Sequence, residues 1–271
     1  MYWDWEPSIL IGLIGVTIWY ELSIRSLRRD PGTSVGLLLA KRIAFHSATF
    51  WVFIALISPI DSVADHSLFS VHMIQHMILI FVGPLLWVWG TPGRLVEMLL
   101  PFKPLRETFL WYTRPVPAFI VFTVVLWLWH VPSVYDAALH DEHLHILEHM
   151  LFMGTAIIGW WPVVGQYGPN RTPPVVLAYL AVSIFMCSGL AALITLVPHV
   201  LYPFYGSAPL AYGLSPLTDQ QIGGTIMWLP GDLIYMGLIA GQFYRWSRDN
   251  PDGAPDIAEK AAARPTNPAR V

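Results

Sequence analysis

Apolar residues gather in seven long stretches, each of the roughly 17 to 25 residues that a helix needs to cross the hydrocarbon layer of a bilayer. The stretches cover residues 7–24, 42–60, 67–90, 117–135, 144–164, 174–197 and 223–246, and polar residues collect in the connections between them. This pattern predicts an all-α, polytopic membrane protein with seven transmembrane helices. The second stretch is the least clean, because His46, Ser47 and Thr49 dilute it. The first has Trp3 and Trp5 before it and no basic leader, so it reads as a retained helix with an aromatic anchor and not as a cleaved signal.

The distribution of charge orients this framework. All 15 Lys and Arg fall in alternate connections: Arg25, Arg28, Arg29, Lys41 and Arg42 after the first stretch; Arg94, Lys103, Arg106 and Arg114 after the third; Arg171 after the fifth; and Arg245, Arg248, Lys260, Arg264 and Arg270 after the seventh. The other connections hold none. The positive-inside rule then sets the N-terminus outside and the C-terminus in the cytoplasm. Adding or dropping one span would destroy the segregation, so charge and hydropathy support the same count.

Composition agrees: 55% of the 271 residues are hydrophobic, 12% are charged and the mean hydropathy is +0.53. No separate soluble domain fits between the spans. Residues 1–248 form one membrane domain, and residues 249–271, rich in Pro, Ala and charge, are expected to be a disordered cytoplasmic tail. The net charge of -3 gives no sign of nucleic-acid binding. The single cysteine, Cys187, excludes an intrachain disulfide and a CxxC metal site, so soft-metal binding would rest on His and Met.

Nine of the ten histidines approach the outer side, all but His46. His66, His72 and His76 belong to the outer part of the third stretch, and His130 to the outer end of the fourth. His140, His143, His145 and His149 lead into the fifth, and His199 follows the sixth. On a helix, residues four apart lie about 40° apart around the axis and about 6 Å apart along it. His72 and His76 therefore share a face, as do His145 and His149, with Glu148 beside them; Met73 and Met77 form an adjoining strip. At 1.5 Å per residue, His72 and His149 meet at one level about 8 Å down, His145 sits above them with His130 close by, and His76 sits below.

A lone histidine in a span is commonly a packed, hydrogen-bonded residue, and His46 and His199 read that way. Four imidazoles in hydrocarbon are different, because burial without partners costs several kcal/mol. Imidazole with thioether and no thiolate pair suits copper, while zinc fits the His and carboxylate content equally well. Neither HxxxH carries the Glu of an HExxH zinc protease. Methionine at helical spacing most often fills core space, so Met73 and Met77 are second-rank thioether candidates. Outer acids such as Asp61 and Asp219 are either solvated or gather cations at the mouth of the site. Asp219-Gln220-Gln221 leads into Gly223-Gly224, where close helix approach needs the absence of a side chain, and Pro230-Gly231 is expected to interrupt the last span.

Four ordered segments resemble one family. They are Ser58-Pro59-Ile60-Asp61 followed by "HSLFSVHMIQHM", "WLWHVPSVYDAAL" from Trp127, "LHILEHMLFMGTAIIGWWPVVG" from Leu144, and "TDQQIGGTIMWLPGDLIY" from Thr218. They resemble the multi-span CtaG family, associated with assembly of caa3-type cytochrome c oxidase and distinct from the single-span, thiol-bearing copper chaperone that shares the name. The resemblance implies a non-enzymatic assembly factor in a bacterial inner membrane that serves the oxidase core subunits, with copper handling as its task. It draws attention to His72, His76, His130, His145, Glu148 and His149, and less to Asp61, Asp219 and Gln220.

On this reading copper is accepted at an outward-facing site of His72, His76, His130, His145, His149 and Glu148, with Met73, Met77, His66, Asp61 and Asp219 at its margins. Extracytoplasmic copper chaperones would be its donors. The alternatives are a membrane redox protein holding a b-type haem between two helices, and a metal permease, which would need a polar path beyond His46 and Cys187.

Overall fold

The structure is a computed structural model that describes residues 3, 5–27, 34–169 and 171–250. The described residues are all helical, joined by turns. Twelve α-helices follow in order: α1 (Pro7–Leu27), α2 (Val35–Ile57), α3 (Pro59–His66), α4 (Phe69–Met77), α5 (Gly83–Gly90), α6 (Gly93–Leu99), α7 (Lys103–Tyr112), α8 (Pro115–Trp129), α9 (Pro132–His140), α10 (Glu142–Val164), α11 (Pro173–Leu196) and α12 (Pro216–Asp249). A π turn over Ile78–Val82 joins α4 to α5 as one span, Phe69–Gly90. Six helices among the described residues are long and apolar enough to cross a membrane, and a seventh is counted if α7 and α8, bent by 74°, make one span. The expected tail lies, from residue 251 onward, outside the described residues.

Prolines set the boundaries that hydropathy leaves open. The second stretch, expected to reach residue 60, ends at Ile57, where Ser58 turns extended ahead of Pro59 and its hydroxyl accepts from the Ile60 amide to start α3. The fourth stretch, expected over residues 117–135, spans only Pro115–Trp129. Pro132 cannot continue a helix, so Val131 goes extended and α9 begins afresh. His130 thus caps a short helix whose end is still inside the bundle, and Tyr202 donates to its freed carbonyl at 2.9 Å.

The π turn has a similar cause. Pro84 has no N–H for the Ile80 carbonyl, the helix widens there, and the Trp160 indole donates to Ile80 O at 2.8 Å. This bond fastens α10 to the broadened turn. The last helix corrects an expectation in the opposite sense: α12 starts at Pro216, under a Ser215 cap, and runs unbroken through Pro230.

The main core lies among α4, α5, α8, α10, α11 and α12, with α11 and α12 packed along each other. One end of the bundle carries the basic residues. There Lys41 donates to Trp89 O at 3.1 Å, Arg42 and His46 both meet Glu21, and Arg171 donates to Thr113 O at 2.7 Å. The plain structural reading of His46 is met by that ion-pair cluster. The opposite end gathers the histidines.

Candidate metal centre

The site begins with the first turn of α4. Leu68 precedes it and supplies no side-chain cap, so Asp219 of α12 takes the role. Its carboxylate accepts from the Phe69 amide at 2.7 Å and from the Ser70 amide and hydroxyl. A carboxylate at a helix N-terminus satisfies orphan amides and complements the dipole. Gln220 does the same for the turn after α11, accepting from the Leu201 amide at 2.6 Å and donating to Ile194 O and His199 O. Between these anchors α12 comes very close: a Cβ on Gly223 would lie 2.4 Å from the Phe69 ring, and one on Gly224 2.4 Å from Thr195 Oγ1. The close approach expected of this glycine pair is real, and it fixes where α4 stands.

One turn below that cap, α4 points His72 and His76 at α10. The His72 ring centroid is 4.2 Å from His76, 5.3 Å from His145 and 6.2 Å from His149. His145 and His149 are 4.2 Å apart, and His76 lies 5.7 Å from His149. The two HxxxH faces oppose each other. His130, the residue that closes α8, stands 5.8 Å from His76.

Two groups of donor atoms close to within 4.8 Å: His72 with His145 and His149, and His72 with His76 and Glu148. His72, His76 and Glu148 are at most 1% exposed and His149 is 8% exposed. Glu148 Oε1 is 3.7 Å from His76 Nε2, too far for a hydrogen bond. Among the described residues, neither Glu148 oxygen nor either His76 nitrogen has a hydrogen-bond partner, and the same holds for Nε2 of His72, His130, His145 and His149. So many buried polar atoms without partners would cost several kcal/mol in a closed core. Bare imidazole nitrogens beside a bare carboxylate fit a metal ion.

Supporting hydrogen bonds decide which nitrogens are bare. His130 Nδ1 lies 2.7 Å from Leu126 O, and a carbonyl only accepts, so Nδ1 carries the proton and neutral His130 turns the Nε2 lone pair inward. For His72 the chain is longer. Tyr205 donates to Ala64 O at 2.8 Å, which leaves its oxygen to accept from Tyr135 at 2.8 Å. His72 Nδ1, 3.0 Å from both phenols, is then the donor, and Nε2 is free for a metal. Burial pushes both phenols well above the ordinary tyrosine range, so they keep their protons.

The remaining candidates fall around this centre. A cavity of about 430 Å³ opens beside it, bordered by Glu6, Asp61, Asp65 and Glu142 and by His66, His140, His145 and His149. His66 is exposed at this mouth, and Asp61 accepts from Gln75 at 2.7 Å. Met73 and Met77 turn toward α12, where a Cβ on Gly223 would meet Met73 Cγ at 3.2 Å and one on Gly231 would meet Met77 Cε at 3.8 Å. Asp219 is committed to the α4 cap. Cys187 is half-buried at 3.6 Å from the Tyr235 hydroxyl, on the α11–α12 seam. Asp65, one of the outer acids, has Oδ2 3.7 Å from His145 Nδ1; sequence reasoning missed Tyr135 and Tyr205. Tyr135 lies inside the "VPSVYDAAL" segment; Tyr205 sits in a short 3-10 turn with no pattern to single it out.

Comparison with known proteins gives the same picture a context. Residues 18–249 match the family model described as cytochrome c oxidase caa3 assembly factor (Caa3_CtaG). An uncharacterized protein of Mycobacterium bovis is 29% identical over 269 residues, covering 91% of this chain and 40% of the relative. A second, from Mycobacterium leprae, is 29% identical over 205 residues, covering 68% of this chain and 31% of the relative. The chain thus spans less than half the length of these relatives. No solved structure matches it.

Proposed function

This chain belongs to the cytochrome c oxidase caa3 assembly factor family, and on that premise we propose that it carries copper for the oxidase. On this reading the histidine end of the bundle is the outer one, which the segregation of Lys and Arg supports. The ion is cargo, taken up through the acidic cavity, held by histidines and Glu148, and released to an oxidase core subunit that still lacks its metal. The role is one of binding and transfer, with no catalysis.

The observation that carries this reading is the convergence of two opposed HxxxH faces on a shared set of unpartnered, buried donor atoms. Neutral imidazoles accept either oxidation state of copper, and a site without thiolates permits release. The rings stand 4.2–6.2 Å apart, a spacing that suits an ion more than the slab of a porphyrin between two axial ligands. The floor argues for return through the same end. Phe152 lies 4.8 Å from the His76 ring, with Phe81, Trp160 and Tyr235 packed together in the same core.

The test is metal content by mass spectrometry and an absorption spectrum on the purified chain, wild type beside His72→Ala/His76→Ala, with the copper content of the oxidase measured in cells carrying each. Copper bound to the wild type and lost from the variant, with oxidase polypeptide present but copper-poor, is the expected result. Normal oxidase copper in the variant would sink the proposal. A Soret band in the wild type would favour the haem reading instead.

A further inference from the structure

We propose that the two donor sets are successive stations for one ion, with His72 as the ligand kept in passing from one to the other. This deepens the copper reading and rests on it.

Three observations support an ordered path. His72 belongs to both sets, and with Nδ1 engaged by Tyr135 and Tyr205 it has one nitrogen to give, so the sets cannot both be filled. The cavity touches His145 and His149 but none of His72, His76 and Glu148. Exposure falls along the same line, from 13% for the His145 side chain to 8% for His149 and 0% for Glu148. The set of His72, His145 and His149 is therefore the outer station, and that of His72, His76 and Glu148 the inner one.

Charge gives the path a direction. The outer station offers three neutral imidazoles, so a monovalent ion there leaves a net positive charge, tolerable beside the acids that border the cavity. The inner station offers two imidazoles and a carboxylate, so the same ion becomes part of a neutral complex. A net charge becomes more costly as surroundings grow drier, and neutralisation offsets that cost as the ion descends. In the exchange the metal–nitrogen bonds to His145 and His149 break, while one bond forms to a His76 nitrogen and one to a Glu148 oxygen. The bond to His72 is kept and no electron moves; a proton resting on Glu148 passes to one of the imidazoles that the ion has just freed, His145 or His149, both of which border the cavity.

The experiment uses the full chain in detergent with Cu(I) as the probe. Copper per chain is measured by mass spectrometry, the number of bound imidazoles by X-ray absorption, and the loading rate by rapid mixing with a chromophoric Cu(I) complex. Wild type is expected to hold one ion with the inner ligand set. Glu148→Gln is expected to hold one ion whose imidazole count rises to that of the outer station. His145→Ala/His149→Ala removes two of the three outer ligands and is expected to load more slowly than wild type, while the ion that does bind shows the inner ligand set. Two ions per wild-type chain, or an imidazole count unchanged in Glu148→Gln, would overturn the shared-ligand path while leaving copper binding intact. No Cu(I) on the wild type would overturn the copper reading and this inference with it.

Discussion

Replacing Tyr205 by Phe removes one oxygen and tests how the centre is held. In the wild type that oxygen donates to Ala64 O and accepts from Tyr135, and it lies 3.0 Å from His72 Nδ1. Ser67 and Leu68 both donate to Val63 O, which leaves the Ala64 carbonyl to the phenol. Without the hydroxyl, Ala64 O is buried and unpaired, which costs about 1–3 kcal/mol of stability. Tyr135 loses its acceptor and can turn its proton to His72 Nδ1, driving the ring proton to Nε2, the atom offered to the metal. Loss of a group that orients a ligand imidazole lowers metal affinity about 10- to 100-fold, which is about 1.4–2.7 kcal/mol.

The assay is a competition titration of Cu(I) against a chelator of known affinity, paired with thermal melting of the metal-free chain. Tyr179→Phe is the control. It also deletes a buried phenol bonded to a backbone carbonyl, Gly159 O, but that phenol has no bond to a histidine. The control should melt lower at unchanged affinity, and Tyr205→Phe should lose both. Unchanged Cu(I) affinity in Tyr205→Phe would refute the proton accounting and make the tyrosines a packing feature only.

Three further outcomes follow from the surrounding geometry. Asp219→Ala uncaps α4 and is expected to cost about 1–2 kcal/mol in chemical denaturation, with weaker metal binding because His72 is one turn away; Asp219→Asn should recover part of both. Gly223→Ala sets a methyl 2.4 Å from the Phe69 ring, overpacking worth about 1–3 kcal/mol, read as a lower melting temperature and reduced copper retention after desalting. Trp160→Phe leaves Ile80 O unpaired in the π turn, and a loss of about 1–3 kcal/mol should appear as faster amide exchange at residues 78–84.

What the sequence reveals and what it conceals divides along the range of the forces involved. The opposed HxxxH faces were legible because i, i+4 spacing is a property of one helix, and two such faces at similar depth in neighbouring spans have few ways to avoid each other. The end of α8 was not legible from hydropathy, since "WLWHVP" is largely apolar; the Pro132 backbone clash, not transfer energy, stops the helix at Trp129. Asp219 shows the limit more sharply. As an acid near a histidine cluster it reads as a ligand, yet it lies 150 positions from the amide it caps, and the demand it meets arises because Leu68 cannot cap α4 itself. The same long range hides Tyr205 and Ala64, 141 positions apart. Residues that would touch an ion announce themselves by type and period, whereas the residues that hold them in place are chosen by contacts that exist only once the bundle has formed.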